Sequence, residues 1–136
     1  MSSVIKTFNN QIYNLVNTLS NRFPEDKDIK LALTVTETLK STNPKKSLEI
    51  FLLYAYKYRD VIMAEKESFF LEKDYLNSNS EEIKKKFSIN LIQNLKDNWT
   101  KLESIEKENI WKYLKVLIKL TDKYLKDNLD ISKLEN

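Results

Sequence analysis

Residues 44–65, PKKSLEIFLLYAYKYRDVIMAE, are the stretch on which the fold turns. Leu48, Phe51, Leu52, Ala55, Tyr58 and Ile62 share one side at helical spacing, and Ile50, Tyr54, Tyr56 and Val61 widen that arc past half the circumference. Only Glu49, Leu53, Lys57 and Asp60 fill the remainder. A helix apolar nearly all round is buried on most of its sides, so the spacing predicts a central helix over 44–65. Asn43-Pro44 reads as its N-cap and first helical residue, because proline lacks the N–H that would be unpaired there anyway.

The same periodicity extends to both sides of this stretch. Val4, Phe8, Ile12, Leu15 and Leu19 predict a helix over 4–21 that packs from one side, with Asn9, Asn10, Asn14 and Asn17 opposite. A helix over 25–41 follows Pro24, with Glu25, Asp26 and Asp28 in its first turn, where the helix dipole favours carboxylates. Its inner face is Ile29, Ala32, Leu33, Thr36 and Leu39, widened by Leu31 and Val35. Glu67 to Leu71 reads as a short helical turn, and Asn77-Ser78-Asn79-Ser80 as a loop. Ile83, Phe87, Leu91, Leu95 and Trp99 predict a helix over 81–103. A last helix over 105–127 carries Ile110, Tyr113, Leu114, Leu117, Leu120, Thr121, Tyr124 and Leu125 inward. The expected architecture is all-α: one globular bundle of five long helices plus a short one, spanning 1–127, with a frayed tail at 128–136.

Composition narrows the function classes. The chain has 136 residues, a length that suits one domain, and it contains no glycine, no cysteine and no histidine. Glycine supplies the positive-φ positions of hairpins and of phosphate-cradling loops, so its absence argues against a many-turned β-protein, a Walker loop or a dinucleotide fingerprint. Without histidine there is no side chain whose ordinary titration spans neutral pH. Without cysteine there are no disulfides to support a secreted fold. Met1-Ser2-Ser3-Val4 does not open a basic segment followed by an apolar one, so no signal peptide is expected. No run approaches the ~18 apolar residues of a membrane span.

Two surface constellations remain. Lys112, Lys115, Lys119, Lys123 and Lys126 fall on one sector of the last helix and could track a phosphate backbone. The plainer account is a solvated face in a lysine-rich chain, blunted by Asp122 and Asp127, since the sequence holds 21 lysines against two arginines. Phe69-Phe70, followed by Tyr75, sets adjacent rings in a short element that cannot easily turn both inward, which suggests a docking surface. Lys84-Lys85-Lys86, which follow Glu81 and Glu82, are expected to point to different helix faces, a pattern that favours local charge pairing over recognition. The carboxylates at 25–28, 65–67 and 103–108 sit at predicted helix ends, where capping explains them.

Several segments resemble small helical proteins of nucleocytoplasmic large DNA viruses, the giant viruses of amoebae and algae. They are Phe8-Asn9-Asn10-Gln11, Phe23 to Asp28, Thr42-Asn43-Pro44, Phe69 to Tyr75 and Lys107 to Leu114. The resemblance implies a viral origin and a setting in the host cytoplasm (the viral factory) or the virion. It carries no functional residue with it. The expectation is a non-enzymatic protein without cofactor or metal that binds a protein partner or itself through Phe69, Phe70 and Tyr75. The alternative is a nucleic-acid-binding or virion-packaging protein using the five lysines.

Overall fold

A computed structural model describes residues 3–72 and 95–135, including all side chains there except those of Phe69, Phe70, Glu72 and 129–135. The fold is all-α, and no strand occurs among the described residues. Helices α1 (Ser3–Arg22), α2 (Lys27–Thr42), α3 (Lys46–Tyr54), α4 (Arg59–Met63), α5 (Glu67–Glu72) and α6 (Ser104–Glu135) follow in order. Single 3-10 turns lie at Tyr56–Tyr58 and Trp99–Lys101.

The predicted central helix over 44–65 is interrupted. It divides into α3, the 3-10 turn and α4, and its Leu53 is 65% exposed. The interruption coincides with the tyrosine run, whose side chains are only middling helix formers and here find tertiary partners instead. The Tyr56 hydroxyl donates to Asp122 on α6, and the Arg59 guanidinium lies 4.8 Å from the Tyr56 ring centroid.

The central place belongs to α1, which packs against α2, α3 and α6. Val4, Ile5, Phe8, Leu15, Val16 and Leu19 are all buried, so its inner arc is wider than the predicted stripe. Asn9, assigned to the outer side by its polarity, is 2% exposed. Its amide donates to the Ile5 carbonyl at 3.1 Å and to the Pro44 carbonyl at 2.7 Å, which ties the α2–α3 link to α1.

The proline-adjacent helix starts also shift. Pro24 lies in a turn, and α2 is capped by Asp26, whose carboxylate accepts from the Asp28 and Ile29 amides. Asn43 closes α2 rather than opening α3: its N–H donates to the Leu39 carbonyl at 2.9 Å. Ile29, Ala32 and Thr36 are buried as expected, whereas Leu31 is exposed. Glu65 adopts φ 52° at the end of α4. Lys66 N–H bonds to the Val61 carbonyl and Glu65 N–H to the Ile62 carbonyl, the hydrogen-bond pattern of a helix ending that ordinarily uses glycine.

Of the predicted helix over 81–103, residues 81–94 lie outside the described residues, as does the loop at 77–80. Residues 95–98 are helical and pass into the Trp99–Lys101 turn. Leu95, Trp99 and Leu102 are buried there, and the Trp99 and Trp111 rings meet edge to face at 5.4 Å. Helix α6 has 32 residues and extends through Glu135, past the expected helix end at 127. At its start the Glu103 N–H donates to the Glu106 carboxylate at 2.9 Å. The other oxygen of that carboxylate receives Arg22 Nε at 2.8 Å, while Arg22 Nη2 donates to the Lys101 carbonyl. Asn98 donates to Asp26 at 3.2 Å, so the end of α1, the start of α2 and the start of α6 are cross-tied at one end of the bundle.

Candidate functional site

The long amphipathic helix α6 positions the five lysines. At about 100° per residue they fall within a sector of about 80°, and Lys112 to Lys126 spans about 21 Å of rise. Lys112, Lys119, Lys123 and Lys126 are exposed, and their ammonium groups form no ion pair or hydrogen bond among the described residues. Lys115 is different: it is drawn aside to the Glu65 carboxylate. Four of the five therefore remain available to an incoming anion. Lys112 also borders a groove of about 350 Å³ between α1 and α6, with Gln11, Thr18, Asn109, Tyr113 and Val116. The nearby acid Asp122 is engaged by Tyr56, and Asp127 is exposed.

The docking candidates are placed only in part. Phe69 and Phe70 belong to α5, but their side chains lie outside the described residues, as does the whole of Tyr75. The segment that carries them is fastened to α6 at two points. Glu65, just before α5, pairs with Lys115, and Glu67, its first residue, pairs with Lys107 at 3.6 Å. Leu71 of the same helix is half-buried against the core.

Four of the acidic groups serve the architecture. Asp26 caps α2 and holds Asn98, Glu106 holds Arg22, and Glu65 and Glu67 hold lysines of α6. Among the described residues no three carboxylates converge to hold a metal ion. No helix among them is long and apolar enough to cross a membrane.

Asp122 acts on its neighbour's titration. Its hydrogen bond, then partial burial, then its negative charge raise the Tyr56 phenol above its ordinary value of 10.0. A group with a raised folded pKa contributes stability that is complete below the unfolded value and lost as pH rises through the folded one. The native chain is therefore expected to lose part of its stability above about pH 10, and Tyr56→Phe to lose less of it there. Melting temperatures of both proteins from about pH 8 to about pH 11 check this; parallel curves would remove Tyr56 as the cause.

One feature of the core was not legible in the sequence. A cavity of about 120 Å³ lies where α1, α2, α3, Leu95 and α6 meet. Its walls include Leu15 and Val16 of α1, Thr36 of α2, Ser47 and Phe51 of α3, and Leu117 of α6. Small residues at inner positions, Ser47 and Ala55, are the sequence signal that accompanies it. No protein-family model, no curated protein and no solved structure matches this chain.

Proposed function

We propose that this chain is a non-enzymatic viral helical protein that serves as a protein–protein interaction or scaffold module, in the host cytoplasm or the virion. The observation that carries the reading is the fastening of the α4–α5 segment to α6 by Lys115–Glu65 and Lys107–Glu67. Exposed ion pairs add little stability, about 0–1 kcal/mol each, but they fix direction. Here they hold the Phe69-Phe70 segment on a stiff helix, and a preset platform lowers the ordering cost of docking. The resemblance to small helical proteins of giant viruses supports the viral setting.

The test is paired. Sedimentation equilibrium reads self-association of the purified chain, and affinity capture from infected cells reads a partner. Changing Phe69 and Phe70 to Asp and Tyr75 to Ser is expected to weaken whichever association is found by about thirtyfold, the effect of losing an aromatic hot spot. Association that persists undiminished in a folded triple variant excludes this surface.

A second reading has its own observation. Lys112, Lys119, Lys123 and Lys126, exposed and without an ion pair among the described residues, form a row that suits a phosphate backbone, which favours nucleic-acid binding or virion packaging. Its salt dependence separates it from the first.

A further inference from the structure

We propose that the groove between α1 and α6 takes one unpaired base of a single-stranded nucleic acid whose backbone lies along Lys112, Lys119, Lys123 and Lys126. This rests on the nucleic-acid reading of the lysine row and goes beyond it. The row alone meets the phosphates of any strand, whereas the groove selects a strand whose bases are free.

Charge favours a polyanion on this face. Helix α1, the far wall of the groove, carries no carboxylate, and its only charged side chains are Lys6 and Arg22. The described lining of the groove holds one charged residue, Lys112. The acids Glu108 and Asp127 bracket the lysine row in sequence and contribute nothing to that lining. A phosphate backbone on α6 therefore meets no opposing acid from α1.

Shape places a base beside the backbone. The diversion of Lys115 to Glu65 leaves a gap of about 10 Å of rise between Lys112 and Lys119. Val116 stands in that gap, 37% exposed, and forms an edge of the groove. The groove measures about 350 Å³. A cavity of about 150 Å³ accepts a benzene ring, so this space admits one base with water at its margins.

The groups in the groove suit a base in particular. Tyr113 supplies a half-buried aromatic ring and Val116 an apolar surface for the faces of a planar heterocycle. The side-chain amides of Gln11 and Asn109 each offer both donors and an acceptor, and they form no hydrogen bond among the described residues. The Thr18 hydroxyl donates to the Asn14 carbonyl at 2.8 Å and keeps its accepting capacity. A base edge presents donors and acceptors together, but within a duplex those edges are already paired. Recognition of this kind reaches bases that are unstacked and splayed out. An acidic peptide would satisfy the lysines equally well, yet its carboxylates have no planar edge to offer the two amides.

The experiment measures fluorescence anisotropy of the full chain with two labelled strands of about twelve nucleotides, a thymidine strand and an abasic strand of equal charge. At about 50 mM salt the thymidine strand is expected to bind about tenfold tighter, the contribution of one stacked base. The double variant Gln11→Ala with Asn109→Ala should lose about fivefold per amide on the thymidine strand. Its affinity for the abasic strand and its salt dependence should stay as in the native chain, because no phosphate contact is removed. Equal binding of the two strands overturns the base site and leaves the lysine reading standing, whereas no binding of either strand removes both. The base site is also overturned if the double variant weakens both strands alike, or if a polyglutamate of matched charge displaces the thymidine strand as well as an unlabelled copy does.

Discussion

Trp99→Ala is expected to cost about 3–5 kcal/mol, the range for removing a large aromatic side chain from a packed core. Domains of this size are stable by only about 5–15 kcal/mol in total, so the variant stands close to unfolding. Trp99 is fully buried and contacts the Trp111 ring edge to face, and the Lys107 ammonium lies 5.6 Å from its ring centroid. Its position magnifies the loss. It sits in the 3-10 turn that joins residues 95–98 to the start of α6, between buried Leu95 and Leu102. Removing the ring therefore loosens the approach to α6 as well as opening a void. Urea unfolding followed by circular dichroism measures the effect: the midpoint should fall with the slope unchanged. Trp99→Phe keeps an aromatic edge for Trp111 and should lose less. A loss below about 1 kcal/mol would show that residues 95–102 are not anchored in the core.

The second large effect belongs to the lysine face. If Lys112, Lys119, Lys123 and Lys126 each neutralise one phosphate of a duplex, the logarithm of affinity falls with the logarithm of salt at a slope of about −3.6. Raising salt from about 50 to about 200 mM then weakens binding about 150-fold. Replacing all four with Gln keeps the polar stems and should flatten the slope to near zero. Lys115→Gln should change it little, because that ammonium is already held by Glu65. This contrast between neighbours on one face is specific to the observed geometry. Fluorescence anisotropy of a labelled duplex measures it. No binding at the lower salt, or equal sensitivity of Lys115 and the other four, would leave the row a solvated exterior.

The fold class was legible because apolar spacing is itself the cause of helical packing. The row Val4, Phe8, Leu15, Leu19 and the inward face Ile29, Ala32, Thr36 are buried as their spacing requires. Other features depend on information that spacing lacks. Asn9 counts as polar, yet it belongs inside because the Pro44 carbonyl needs a donor there. Asn43 and Asp26 are both good capping residues, and only the local hydrogen bonds decide which end of which helix each one serves. The interruption at Tyr56–Tyr58 coincides with the hydrogen bond from Tyr56 to Asp122, 66 residues away along the chain. Trp111 and Ile118 are buried on α6 although the inward row omitted them, because α6 meets α1 and the Trp99 turn on different sides. For the functional surface, the helical face of the lysines could be read in advance. The diversion of Lys115 to Glu65 could not, since it depends on where α4 ends.

That end of α4 has a consequence for how the molecule handles force and salt. A left-handed turn at a residue with a side chain costs about 1 kcal/mol, and the exposed pair that Glu65 makes with Lys115 returns a comparable amount. The two nearly cancel, so the catch between these helices works as a detent: it sets the angle at which α5 is carried while adding almost nothing to the depth of the native well. Because the pair is partly exposed, electrolyte near about 1 M, far above the range of the binding titration, weakens it without touching the apolar contacts of the bundle.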